Sequence, residues 1–151
     1  MKRACAIKPA GEWNEASAID SIALDAHERH RRRIVLTAER GTRFLLDLPR
    51  ATALRHGDGL LLDDGAIVRV AGRPEPLVEI AAASAQDLAR LAWHIGNRHV
   101  DLQIVGGALR IRRDHVIEDM LRGLGARLTP IEAAFDPEPG AYDHDHRDFH
   151  I

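Results

Sequence analysis

The rhythm of the chain changes once, at Arg73-Pro74-Glu75-Pro76, and that change limits what it can fold into. Ahead of it, apolar residues alternate with period two. Behind it, they recur at helical spacing between short strands. Residues 18–25, 33–38, 43–48 and 67–71 read as strands, with Gly41, Gly57, Gly59 and Asp63-Asp64-Gly65 where turns are needed. Asp64-Gly65 is a hairpin signal. No helical period of useful length precedes residue 80, so residues 1–73 are expected to form a small all-β domain. The two prolines around Glu75 favour an extended, semi-rigid segment and a domain boundary.

Leu77–Ala81 reads as a strand. Ser84 is a helix N-cap, with Asp87 three positions on in the manner of a capping box. Leu88, Leu91, Ala92 and Ile95 then fall on one helical face, and Gly96-Asn97 is a stop signal. Residues 102–105 and 109–112 form a hairpin around Gly106-Gly107. Asp114 caps a second helix whose apolar face is Val116, Ile117, Met120, Leu121 and Leu124, ended by Gly123 and Gly125. Residues 127–131 form a last strand. The order β-α-β-β-α-β predicts a ferredoxin-like domain over residues 74–135, with two helices on one face of an antiparallel sheet. From Phe135 onward the apolar period is lost, and residues 136–151 are expected to be a flexible tail rich in His and Asp. The class is α+β.

Composition narrows the function. Hydrophobic residues make up 45% of the chain, enough for a real core, and the net charge of −2 argues against bulk electrostatic binding to nucleic acid or anionic membrane. Aromatic residues are only 4%, so stacking platforms for single strands are scarce, which weighs against an RNA-binding ferredoxin-like sheet. No stretch approaches the roughly 20 apolar residues of a membrane helix. The apolar run Ala4-Cys5-Ala6-Ile7 stops at Lys8, too short for a signal-peptide core, so a cytoplasmic protein is expected. A single cysteine rules out an internal disulfide and a thiolate metal site. Neither a phosphate loop nor a nucleophile motif is present, so the chain is not expected to be an enzyme.

The chemistry lies in the nine histidines. His99 follows the first helix, and His144, His146 and His150 are interleaved with Asp143, Asp145 and Asp148 at the C-terminus. Imidazole with carboxylate suits nickel, copper and zinc. A lone His99 reads first as a capping or partly buried histidine; a metal site needs at least one more ligand, and a two-fold dimer would supply it by bringing the same residue from both chains to the axis, with tail groups or water completing the shell. A tethered imidazole–carboxylate segment beside a fixed site has a high effective concentration for it, which suits capture and transfer. His115 stands at the start of the second helix, where backbone N–H groups favour a neutral imidazole. Helix-start capping explains it equally well. The run His27–Arg33 reads as a solvated loop or as a docking patch for an acidic partner.

Trp93-His94-Ile95-Gly96-Asn97-Arg98-His99, Leu102-Gln103-Ile104 and Asp114–Leu121 together resemble the UreE-type urease accessory proteins, and Phe135–Tyr142 resembles the segment preceding their histidine-bearing tail. The likeness covers the second half in order, and the N-terminal β unit is compatible with it. The resemblance implies a nickel metallochaperone for urease maturation. It implies an N-terminal β domain similar to a co-chaperone peptide-binding domain and a ferredoxin-like domain that forms a homodimer. By that resemblance His99 holds Ni²⁺ at the dimer interface, His144, His146 and His150 complete or feed the site, and the same ligands also suit Zn²⁺ or Cu²⁺. The implied partners are the urease GTPase accessory protein and apo-urease held with its other accessory proteins. Two departures stand out. The tail has three histidines rather than a long run, and Arg113 replaces the first histidine of a His-x-His pair, leaving only His115. The competing expectation is a peptide- or protein-binding module of an assembly complex that needs no metal.

Overall fold

The computed structural model describes residues 1–140, which divide into two compact units, the first built on Met1–Arg73 and the second on Pro74–Glu138. The first contains six strands: β1 (Lys2–Lys8), β2 (Asp20–Leu24), β3 (His30–Thr37), β4 (Arg43–Ala53), β5 (Gly59–Leu62) and β6 (Ile67–Gly72). They make one sheet in the order β2-β6-β5-β1-β4-β3. Side chains two apart share a face, so Phe44, Leu46 and Leu48 meet Ile22, Leu24, Leu60, Leu62, Val68 and Val70 in one core.

Two of these strands carry no alternation in the sequence. In β1 only Ala4 is buried, and in β5 three of four residues are. Gly59, a turn residue by its sequence setting, is instead the first residue of β5. A Cβ there would lie 2.8 Å from Ile67 and 2.9 Å from Trp13, so the glycine is required by close packing. β4 runs five residues past the predicted Leu48, and Pro49 sits where the β3–β4 register slips between Arg31 and Arg33. A proline is tolerated at such an irregularity because no ladder amide is needed there. Buried Asp20 accepts from the amides of Ser21, Arg40 and Thr42. Burial pushes its carboxyl up, but the bonds from Thr42, Arg40 and Ser21 outweigh that and hold it below the usual carboxylate range.

The second unit runs β7 (Glu75–Ala81), α1 (Ala85–Asn97), β8 (Gln103–Val105), β9 (Ala108–Arg112), α2 (His115–Gly123) and β10 (Arg127–Ala133). The sheet order is β10-β7-β9-β8, antiparallel throughout, which is the ferredoxin-like arrangement. Pro130 lies on β10, an edge strand, where its missing N–H costs little. Ser84 caps α1 by accepting from the Asp87 amide at 3.1 Å, while the Asp87 carboxylate turns to Arg90 rather than completing a capping box. Leu91 and Ile95 of α1 and Ile117 and Leu121 of α2 pack on Val78, Ile80, Leu109 and Ile111. Each such buried aliphatic side chain contributes about 2 kcal/mol. Val116 and Leu124 do not join this stripe: Val116 points a further ~100° round the helix from Ile117, and Leu124 is the C-cap, beyond the last helical residue.

The other face of this sheet is also covered. Leu77, Ala108 and Phe135 are buried, and the Arg112 guanidinium sits 4.7 Å over the Phe135 ring. The sequence pattern puts the start of a flexible tail here. In the structure the chain stays bound through Glu138, because Phe135 supplies apolar cover that this face otherwise lacks.

Gly59→Ala forces Ile67 or Trp13 to move, and overpacking of this kind costs about 1–3 kcal/mol. Urea denaturation of the variant is expected to show a lower midpoint with an unchanged slope. An unchanged midpoint would mean that the β5–β6 hairpin has slack around Trp13.

Candidate metal centre

α1 ends at Asn97, and the chain reverses through a hydrogen-bonded cap. The His99 amide donates to Gly96 O at 3.0 Å, and the Val100 amide to Ile95 O at 3.3 Å. α2 closes in the same way: Gly125 donates to Arg122 O and Ala126 to Leu121 O, both at 3.0 Å. This pair of bonds requires a left-handed residue at the first position beyond the cap, and glycine is its usual occupant. In α2 that residue is Gly125, with φ 88°. In α1 it is His99, with φ 58°, the one non-glycine with positive φ among the described residues. A residue bearing a Cβ pays about 1 kcal/mol for this conformation. Gly96-Asn97 does coincide with the helix end, but Gly96 is helical and the histidine makes the reversal.

The cap fixes where the imidazole is carried. Ile95 is fully buried, Val100 packs against the same core, and His99 between them is exposed. It stands just beyond the C-terminus of a helix of 13 residues, where the helix dipole favours a cation. Strained backbone of this sort persists at functional sites when the surrounding structure over-determines it.

The other histidines of the second half are placed differently. His94 is half-buried and edge-on to Trp93, with ring centroids 5.1 Å apart. His115 has a side chain 89% exposed, with Nε2 3.6 Å from the Asp119 carboxylate. It lines a shallow concavity with Asp114, Glu118, Arg113 and Arg122, in which the Glu118 carboxylate is already engaged by Arg113. His144, His146 and His150 lie outside the described residues. Among the described residues, no three His, Cys, Asp or Glu side chains stand together so as to hold a metal ion.

Arg110, Arg112 and Arg113, on and just after β9, are ion-paired. Arg110 reaches Glu79 at 3.2 Å, and Arg112 reaches Glu75 at 3.3 Å and Asp101 at 3.0 Å. Arg113 makes a two-pronged contact with buried Glu118. Burial pushes the Glu118 carboxyl up, but Arg113, the Asp114 amide and Arg122 more than offset that and hold it below its usual range. This contribution to stability is present above the ordinary carboxylate pKa and is lost as the pH falls through the lowered one. In the basic run, Arg29 is buried and donates to Leu24 O and Leu54 O, so it is structural rather than a loop charge. Arg32 and Arg33 are exposed on β3, an edge strand.

Sequence reasoning found His99 but not its conformation. A signal was available: a helix stop with no glycine at the position that must turn left-handed. It also missed the structural role of Arg112, which ties Asp101, two residues from His99, to Glu75 and to Phe135.

Comparison with known proteins gives this geometry a setting. The model of the UreE urease accessory protein N-terminal domain matches residues 4–72, and that of the C-terminal domain matches residues 75–151. The β unit and the ferredoxin-like unit with its histidine turn are thus those of an accessory protein of urease. Proteins named urease accessory protein UreE are 56% identical over 142 residues in Rhodopseudomonas palustris (strain HaA2) and in Bradyrhizobium sp. (strain ORS 278), each covering 94% of this chain. The chain spans 66% and 67% of the length of these two relatives. Against the protein of that name from Rhodobacter capsulatus it is 46% identical over 157 residues, covering all of this chain and 97% of the relative. The chain belongs to the UreE family of urease accessory proteins.

Because His99 occupies a position where glycine is free of strain, His99→Gly is expected to stabilise the fold by about 0.5–1 kcal/mol while removing the exposed imidazole. A differential scan should show a raised Tm. A lowered Tm would mean that the side chain holds the turn together and is structural.

Proposed function

We propose that this chain is a nickel-binding metallochaperone that supplies Ni²⁺ for assembly of the urease active site. The observation that carries this reading is His99: an exposed imidazole kept at a strained left-handed turn beyond a helix C-terminus, on a rigid base. The family match supports the urease setting.

Two copies of the chain pair through the ferredoxin-like unit and bring two His99 side chains to a two-fold axis. His144, His146 and His150 supply further imidazoles from one or both tails, and exchangeable positions stay open. Nickel accepts six-coordinate N/O shells, so an open shell permits ligand exchange with the next carrier. That carrier is the urease GTPase accessory protein, which acts with apo-urease and the remaining accessory proteins. His115 is the weakest member of the ligand set, because Arg113 and Arg122 flank it. Zn²⁺ and Cu²⁺ compete for the same donors, and Cu²⁺ binds them more tightly, so selectivity comes from recognition between the carriers. The first unit serves as the partner-binding domain. The site of action in this reading is the cytoplasm; no described helix is long and apolar enough to cross a membrane.

Calorimetric titration of Ni²⁺ tests this. The unsubstituted chain is expected to show a tight site at about one ion per two chains, and His99→Ala to lose it. Imidazole binds metal only when deprotonated, and free imidazole titrates near ~6.5. Affinity should therefore fall steeply between pH 7.5 and pH 5. Unchanged tight binding in His99→Ala, or equal affinity at both pH values, would contradict the mechanism. Partner binding indifferent to a chelator would favour the metal-independent module.

A further inference from the structure

We propose that Phe135–Glu138 is an anchor that fixes the origin of the C-terminal segment beside the His99 turn, with Glu138 and Arg112 as its positioning residues. This rests on the nickel-carrier reading, in which the tail histidines serve the same ion as His99.

β10 and β8 are the two opposite edges of the second sheet. The chain leaves β10 at Ala133, and within five residues it is bonded to β8. It crosses the face that carries no helix. Phe135 is fully buried there under the Arg112 guanidinium, 4.7 Å from the ring centre. The Asp136 amide then donates to Gln103 Oε1 at 3.2 Å, the Glu138 amide to Leu102 O at 2.7 Å, and the Ile104 amide to Glu138 Oε1 at 3.1 Å. Glu138 therefore meets the β8 segment with both its backbone and its side chain. Arg112 holds the other end of the arrangement, since it also pairs with Asp101 at 3.0 Å.

Covalent geometry turns these bonds into a distance. Leu102 follows His99 by three residues, so their Cα atoms are at most about 11 Å apart. The chain beyond Glu138 starts from Leu102, and His144 follows six residues later, a reach of at most about 22 Å. Without the anchor, the tether would start at Phe135 or earlier, and effective concentration falls as roughly the −3/2 power of tether length. Lengthening the tether from six residues to nine lowers it about twofold. A purely structural plug would need Phe135 but not the two bonds of Glu138.

The test uses the full-length protein with Glu138→Ala, which removes the acceptor for the Ile104 amide, and Glu138→Gln, which keeps it. Hydrogen exchange at Ile104 should be slow in the unsubstituted and Gln proteins and fast in the Ala protein. Nickel affinity, read by competition with a chromophoric chelator, should drop by up to about twofold in Glu138→Ala, as the tether lengthens toward nine residues, and stay unchanged in Glu138→Gln. In a background of His144→Ala, His146→Ala and His150→Ala, Glu138→Ala should have no effect. Rapid exchange at Ile104 in the unsubstituted protein, or an equal loss of affinity with and without the tail histidines, would overturn the anchor. If the unsubstituted protein binds no nickel, the carrier reading fails, and the Ile104 exchange still shows whether the segment is fixed.

Discussion

The bond from the Val100 amide to Ile95 O closes the first helix, and the placement of the histidine turn depends on it. Ile95 belongs to the core that both helices share with the sheet, so its carbonyl is fixed by packing. Once Val100 is bound to it, the chain must reverse within three residues, and the residue before Val100 must take a left-handed backbone. That residue is His99. Its position therefore follows from core packing of α1, and it is exposed because the turn leaves the surface there. The second helix, closed by Gly125 with the same bonds, shows how the turn is built when no side chain is wanted.

Charge is organised around this scaffold rather than spread over it. Arg110, Arg112 and Arg113 each have carboxylate partners within the second unit. Among the described residues, the sheet arginines Arg110 and Arg112 are thus neutralised locally rather than left as a run of unpaired cations for nucleic acid. Arg112 has the largest reach of the three, joining β7 through Glu75, the post-helix turn through Asp101, and the crossing segment through Phe135. The His99 turn and the root of the C-terminal segment are thereby tied to one side chain. This link ties the turn and the crossing segment together within a single small unit.

Much of this was legible in the sequence. Helical spacing of Leu88, Leu91 and Ile95 and the Ser84 cap are local signals, and α1 follows them closely. The Gly106-Gly107 hairpin and the break at Pro74 are equally local. What was hidden depends on contacts distant in sequence. β1 is a strand because it lies between β4 and β5, not because Lys2–Lys8 alternates. Gly59 is needed for Trp13, 46 positions earlier, not for a turn. Phe135 and Glu138 sit in a Pro- and Gly-rich stretch that has the composition of a free tail, yet one is buried and the other is bonded to β8. The left-handed backbone of His99 follows from a cap whose usual glycine is missing.

The central claim is that His99 side chains from two copies hold the same nickel ion. X-ray absorption at the nickel edge, on protein loaded to its tightest site, tests it most directly. The account predicts a six-coordinate N/O shell with the outer-shell scattering of imidazole, which in His99→Ala loses about two imidazoles per nickel. A spectrum unchanged by His99→Ala would contradict it and would place the nickel elsewhere on the chain.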